Sequence, residues 1–489
     1  MKRSPRLTRS AAQSELAAAL AKLRADLEVP DGFPAEVDAE ARTAAAQPLD
    51  TSVDDLREIE FCTIDPEGTT DLDQALHLTR EGDGMRVRYA IADVPWFVEP
   101  QGAVDVEARR RGQTLYAPDE RAPLHPAVLS EDAASLLPDQ DRQAFVWDFH
   151  LDSSVEVRSV ELTRAVVRSR KQWSYEGAQQ AVEDGTAPES LQLLLPFGEG
   201  RQQLEAARGG ASLSLPDGEV VLTDRGYLIE RRQSLPIEEA NAQLSLMTGM
   251  AAARLMLRGN VGILRTMPAA EQAAVDEFRH QTKALGLPWK STVSYGDYLR
   301  GLDRTQPAGL AVLQAATALF RGAGYEAFDG TAPEQPLQAA IAAPYAHVTA
   351  PLRRLVDRFG LTVCLAVQQD QQVPQWAREA LPELPKIMAT SDELASRLDS
   401  GALNRVEAAL LASRSDETFQ AVVLSRKNDH RRIQLTDPAV TAGINGVGEP
   451  GDELAVRLVS ADISTGEVSF EPAPDNPRTP DNHRFSDNQ

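Results

Sequence analysis

Three aspartates gathered around one tight turn constrain this chain more than any other feature: Phe61-Cys-Thr-Ile-Asp65-Pro-Glu-Gly-Thr-Thr-Asp71-Leu-Asp73-Gln-Ala-Leu. A β-like run delivers Asp65 into a turn made by Pro66 and Gly68, and the chain returns with Asp71 and Asp73 two residues apart. In an extended segment that spacing puts both carboxylates on one side. Three carboxylates converging on one loop repel each other unless a cation neutralises them. Hard oxygen ligands of this kind suit Mg²⁺ or Mn²⁺. Such sites serve phosphoryl chemistry, because the metal polarises the phosphoryl oxygen and generates hydroxide near neutral pH, and two ions ~3.5–4 Å apart clamp the attacking and leaving oxygens. The same spacing also suits an acidic surface turn or a calcium loop, although the EF-hand pattern is absent.

The elements around this turn predict an α+β chain. Short β-like runs at Glu60 to Ile64, Met85 to Ile91 and Ala144 to Leu151 are separated by Gly, Asp and Pro clusters. Helical spacing then covers Ile237 to Arg258, Ala269 to Leu285, Ala308 to Phe320, Pro351 to Gln368 and Ser391 to Ala412. From Thr418 to Glu471 strands return, with turns expected at Gly443, Gly446, Gly448 and Gly451, and several short strands in so few residues suit a five-stranded OB-type barrel. The tail from Pro472 is rich in Pro, Asp and Asn and is expected to be disordered. At the front, Ala11 to Leu27 and Pro34 to Ala46 repeat apolar residues at helical spacing, which reads as a small module, either a helix-turn-helix or a docking arm. The predicted division is therefore a helical module (1–56), a catalytic body (57–414), the barrel (415–473) and the tail (474–489).

Composition narrows the setting. No apolar run approaches the ~20 residues needed to cross a bilayer, and the basic start MKRSPRLTRS lacks a signal-peptide core, so a cytoplasmic protein is expected. Two cysteines, Cys62 and Cys364, are too few for a disulfide framework or a cysteine zinc site, and the seven histidines show no HxxxH or HxH spacing. A net charge of −23 opposes a nucleic-acid partner. Basic residues are nonetheless bunched at Arg164 to Lys171, Arg353 to Arg358 and Arg426 to Arg432, which allows a cationic channel inside an acidic exterior.

The acidic stretch resembles the signature of the ribonuclease II (RNB) family, I-D-P-x-x-x-x-D-x-D-D-A-L. Collinear matches follow: Tyr89-Ala-Ile-Ala-Asp93-Val, similar to H-I-A-D-V; Asp105-Val-Glu-Ala-Arg-Arg-Arg-Gly-Gln-Thr-Leu-Tyr116, similar to D-x-x-A-x-x-R-G-x-S-x-Y; Pro123-Leu-His-Pro; Leu129-Ser130; and Ser135-Leu136. Far downstream, Tyr345-Ala-His-Val-Thr349-Ala-Pro351-Leu-Arg353-Arg354-Leu-Val-Asp357 resembles Y-x-x-x-T-S-P-I-R-R/K-x-x-D. The catalytic resemblance spans roughly Glu58 to Ala412, and the barrel fits the family's S1-type RNA-binding domain.

The resemblance implies a 3′-to-5′ exoribonuclease that needs Mg²⁺, or Mn²⁺, and releases nucleoside 5′-monophosphates from single-stranded RNA, including 3′ overhangs. Asp65, Asp71 and Asp73 would hold metal, with Gln74 standing where the family has a fourth aspartate. An amide oxygen can still coordinate but brings no charge, which weakens one ion's site. Arg353 would act at the scissile phosphate, Arg354 and Glu407 would hold RNA, and Tyr175, in Ser169-Arg-Lys-Gln-Trp-Ser-Tyr175, would stack on a base near the 3′ end. Ala90 and Ala350 replace the family's His and Ser. Gln74 also motivates a rival reading, an RNA-binding protein that does not cut, and a phosphohydrolase for small nucleotides is a further rival that the barrel disfavours. Only about 55 residues precede Glu58, and they do not read as the cold-shock barrels that family members carry there. A more open RNA entrance is therefore expected, flanked by the basic start at Lys2, Arg3, Arg6 and Arg9.

Overall fold

The computed structural model describes residues 11–211, 218–223, 226–231, 234–303, 306–319, 321–438 and 440–474. The basic start, the Phe320 end of one predicted helix and the tail beyond residue 474 lie outside the described residues.

Eight strands build the front half of the body: β1 (Asp54–Asp55), β2 (Phe61–Asp65), β3 (Gln74–Glu81), β4 (Gly84–Ala92), β5 (Leu115–Tyr116), β6 (Arg121–Ala122), β7 (Asp141–Leu151) and β8 (Val157–Ser174). Six of them form one sheet in the order β1-β8-β2-β3-β4-β7, and the long β8 pairs back onto β7, so the sheet rolls over on itself. β1 and β2 run parallel to β8, and the remaining pairs are antiparallel. Strand residues alternate between two faces, and here the faces differ in size. Val87, Tyr89, Ile91, Phe145, Trp147 and Phe149 fill one core under the helices Glu189–Arg208, Pro236–Gly259 and Leu355–Gln368. Ala75, Ala90, Ala92, Ala144 and Val146 line the opposite face. Small residues there let Leu352 and the helix Ala35–Ala45 come close to the sheet. Ala90, fully buried, belongs to this small-residue face.

The two N-terminal helices, Ala11–Asp26 and Ala35–Ala45, pack on two different parts of the body. The first packs Leu16, Leu20 and Leu23 on Leu398, Ala402 and Val406 of the long helix Leu384–Leu411. The second enters the small-residue face of the sheet through Val37 and Ala41.

The C-terminal strands Thr418–Lys427, His430–Leu435, Thr441–Asn445, Glu453–Asp462 and Glu467–Pro472 form a five-stranded, nearly closed OB-like barrel around Phe419, Val423, Ile433, Val456 and Phe470. Gly443, expected in a turn, lies inside the third of these strands. Its neighbours Ala442 and Ile444 are buried, and the His430 ring of the adjacent strand lies where a side chain would project. The expected tail also begins too early, because Pro472 closes the last strand and Ala473 donates its N–H to the Ala455 carbonyl at 2.9 Å.

A helix predicted from Pro351 begins only at Leu355. Residues 350–354 instead form a loop bolted to the segment after the helix Ala103–Arg111: Gly112 accepts from Leu355 N at 3.0 Å, and Thr114 N donates to the Arg353 carbonyl at 2.9 Å. Beneath it, Asp105 and Arg358, each with a side chain 1% exposed, pair at 2.6 Å and lock the two helices together. Gly112 holds φ +73°, and a Cβ there would stand 2.6 Å from Ser391 Oγ. Gly112→Ala is therefore expected to cost about 1–3 kcal/mol of stability, read as a lower urea midpoint; an unchanged midpoint would show that Ser391 yields freely.

Candidate functional site

The acidic loop joins β2 to β3, and its shape is set by local chemistry. Gly68 takes φ +82°, and Thr69 donates both its N–H (3.2 Å) and its hydroxyl (2.8 Å) to the Pro66 carbonyl. Ser135 Oγ accepts from Leu72 N at 2.9 Å and donates to the Thr70 carbonyl at 2.7 Å, so the returning strand is held from outside. These contacts give the Ser135-Leu136 match a structural reason.

The three aspartates meet different partners. Asp73, 2% exposed, accepts from Leu352 N at 2.8 Å through Oδ1 and from Arg353 Nε at 2.7 Å through Oδ2. Burial pushes its carboxyl up to about 6, against the pull of Arg353. Asp65 ends β2 and makes no hydrogen bond through its carboxylate among the described residues. Burial first, and Asp73 next, push it up to about 7. Asp71 accepts from Arg121 Nη1 at 3.0 Å, and the other end of that guanidinium pairs with Glu131 at 2.6 Å.

Arg353 is held at one end and open at the other. Its Nε is spent on Asp73, its side chain is 42% exposed, and its two terminal nitrogens carry no hydrogen bond among the described residues. The loop that presents it is tied at every step: Ala350 N donates to Asp357 at 2.7 Å, Leu352 N to Asp73, and the Gln74 amide to the Thr349 carbonyl.

Tyr175 starts the helix Tyr175–Glu183, one residue past Ser174, which is the Cα partner of Asp65 across the β2–β8 pair. Burial and then Asp65 push its hydroxyl up to about 12, and the hydroxyl bonds Asn241. Tyr175 therefore stands beside the acidic loop.

Three sequence assignments meet different geometry. Arg354 faces inward and binds Asp357 through two nitrogens at 2.8 and 2.7 Å, a buried pair that holds the loop. Glu407, 4% exposed on the long helix, accepts from Thr441 N of the barrel at 2.9 Å, at the seam between helix and barrel. Gln74 spends its amide N–H on Thr349, which makes it a tie between β3 and the Arg353 loop. Arg354 and Glu407 thus spend charged groups on fold contacts, whereas Gln74 spends its amide N–H and not the oxygen that was expected to meet metal.

Sequence reasoning quoted Tyr116 without giving it a role. In the β5–β6 hairpin Tyr116 pairs with Arg121, and its ring, 47% exposed, lies within electrostatic reach of Arg353, Asp71 and Asp73. Nearby, a cleft of about 410 Å³ is lined by Gln113, Arg265, Asp392 and Asp399, with Gln113 and Arg265 both donating to Asp392.

Among the described residues, no three His, Cys, Asp or Glu side chains are grouped closely enough to enclose a metal by themselves. The donors still fit a hard cation of the magnesium type, which usually keeps several waters and takes only one or two carboxylates plus substrate phosphates. Asp65, whose carboxylate makes no hydrogen bond among the described residues and is raised by burial and then by Asp73, is the carboxylate such a cation would relieve.

An arginine-topped acidic loop on a rolled mixed sheet, joined to an OB-like barrel, is the class of protein that fold and site define. Residues 53–360 match the family profile described as the RNB domain, and residues 417–473 match that of the RNase II-type exonuclease C-terminal S1 domain. The chain belongs to the RNB family. It is 28% identical over 320 residues to the probable exosome complex exonuclease RRP44 of Caenorhabditis elegans, covering 62% of this chain and 33% of that protein. The matched region thus spans about a third of that relative's length. The solved structure of Mycoplasma genitalium RNase R in complex with ribose methylated single-stranded RNA has a TM-score of 0.82 at 17% identity, covering 94% of this chain and 78% of that one. Yeast Ssd1, described as a pseudonuclease, has a TM-score of 0.69 at 16% identity, covering 84% of this chain and 53% of that one. At these identities the likeness is one of fold.

No helix among the described residues is long and apolar enough to cross a membrane.

Proposed function

We propose that this chain is a hydrolytic 3′-to-5′ exoribonuclease that shortens single-stranded RNA to nucleoside 5′-monophosphates with Mg²⁺ or Mn²⁺. The observation that carries the reading is Arg353: pinned through Nε to Asp73, it leaves its terminal nitrogens open beside the acidic loop. A guanidinium so fixed donates paired hydrogen bonds to phosphate oxygens without first losing conformational freedom. Asp65, Asp71 and Asp73 are the residues that would hold the cation. Once bound, a divalent cation polarises a phosphoryl oxygen and makes water a stronger nucleophile near neutral pH.

The chain's own groups do the rest. Asp73 orients Arg353 and carries its counter-charge. Tyr116 offers an exposed ring on which a base can stack, and Tyr175 lines the Asp65 side of the loop, where a ring and hydroxyl can meet the last nucleotide. The OB-like barrel supplies a second single-strand surface. The names of the relatives support the activity, and the solved RNase R complex supports the substrate class. The two buried free thiols suit a reducing cytoplasm.

A 5′-labelled oligoribonucleotide tests the proposal. With Mg²⁺ or Mn²⁺ the full chain is expected to yield a ladder shortened from the 3′ end and to release 5′-monophosphates, and EDTA is expected to stop it. Gln74 and the fold likeness to Ssd1 favour a second reading, RNA binding without cleavage. Bound but intact RNA in either metal would establish that reading.

Gln74 also gives a graded test. Aspartate cannot donate to the Thr349 carbonyl, so Gln74→Asp is expected to loosen the Arg353 loop and lower turnover about tenfold. A lower metal requirement with undiminished turnover would show instead that position 74 belongs to the metal site.

A further inference from the structure

The β5–β6 hairpin has two faces with different jobs. Tyr116 and Arg121 form one cross-strand pair, and Arg121 reaches Asp71 of the acidic loop. Leu115 and Ala122 form the other pair and are buried in the core shared with Leu16, Leu20 and Leu23 of the helix Ala11–Asp26. The same helix also grips the hairpin tip. Arg24 Nη1 donates to Asp119 Oδ1 at 2.5 Å, and Arg24 Nη2 lies 3.1 Å from Glu120 Oε2. The Arg24 and Asp119 side chains are only 19% and 17% exposed, so water screens this pair less than a surface pair.

Packing holds only one face of the hairpin. Beside that contact lies a cavity of about 270 Å³, lined by Ala21, Ala25 and Val29 on one side and by Leu115 and Arg121 of the hairpin on the other. Two residues per strand provide little ladder of their own, and an isolated hairpin is marginal in water. With the tip released, this cavity leaves the hairpin room to shift.

We propose that Arg24 is a positioning residue: through Asp119 and Glu120, the N-terminal helix sets where Tyr116 and Arg121 stand at the acidic loop. This rests on the exonuclease reading of that loop. A helix outside the sheet thereby becomes part of the site's support, and its ion pair determines how well the RNA end is held.

The test uses the full chain and Arg24→Ala, with KM and kcat measured on a single-stranded oligoribonucleotide. A simple loss of stability reduces the amount of active enzyme and lowers kcat alone. A displaced Tyr116 weakens the grip on RNA, so KM is expected to rise about tenfold while kcat changes less. Amide exchange of residues 113–124 is expected to quicken with the melting temperature nearly unchanged. The conservative Arg24→Lys, which keeps a positive charge for Asp119 and Glu120, is expected to restore much of both KM and exchange protection. Unchanged KM and exchange in Arg24→Ala would overturn the proposal, as would a defect that lysine leaves wholly uncorrected. Dissociation constants for the same RNA in EDTA read the same displacement without turnover. A wild-type chain that fails to cleave therefore counts against the exonuclease reading, whereas the ratio of variant to wild-type affinity still decides the role of Arg24.

Discussion

Asp73→Asn is expected to lower turnover by about 10²–10³-fold or more while RNA affinity stays within a few-fold. Asp73 is where the parts of the site meet. One oxygen takes Leu352 N and so fixes the loop, the other takes Arg353 Nε, and the charge raises the carboxyl of Asp65. Asparagine keeps the volume and one acceptor, so the fold survives. It loses the negative charge that balances Arg353 and that a divalent cation would share. In the proposed reading RNA rests on Tyr116, Tyr175 and the barrel, and no hydrogen bond joins Asp73 to them among the described residues, so binding is expected to persist. Near-normal turnover in a variant with wild-type melting would remove the acidic loop from the chemistry.

Arg353→Ala comes second, with an expected loss of about 10²–10³-fold in kcat. The terminal nitrogens make no hydrogen bond within the described residues, which leaves them available to a phosphate in the proposed reading. If they act on charge gathering at a phosphate during reaction, the loss falls on kcat, whereas a plain phosphate contact would raise KM alone. Removing the guanidinium also strips Asp73 of its counter-charge, and Arg353→Lys separates the two effects. Lysine restores a positive charge but not the fork held by Nε, so it is expected to recover stability with only part of the turnover. Full recovery by lysine would mean that charge, and not geometry, is what the position supplies.

Much of the scaffold was legible along the chain because its signals are local. Alternation over Met85 to Ile91 and Ala144 to Leu151 marked two strands whose large and small residues do face opposite sides of the sheet. Helical spacing located Pro236–Gly259 and the first two helices to within a few residues. Boundaries shifted where tertiary contacts competed: the helix after Pro351 starts late because Leu352 N and Leu355 N are taken by Asp73 and Gly112. Gly443 was misplaced because a glycine in a strand looks like a turn until the neighbouring His430 ring is seen to occupy its side-chain space.

The sequence by itself determined that three aspartates share one turn, that a mixed sheet carries them, and that a barrel follows. Spacing over a dozen residues is enough for such statements, since backbone geometry dictates which side chains share a side. Only the tertiary structure decided which aspartate has a carboxylate free of hydrogen bonds among the described residues, that Arg353 is open while adjacent Arg354 is locked onto Asp357, and that Tyr116 stands beside the site. The Asp73–Arg353 pair joins residues 280 positions apart, and Gln74 meets Thr349 across 275. No periodicity links positions so far separated. Their partners are chosen when burial leaves each polar group a single place to be satisfied, and that choice exists only in the folded chain.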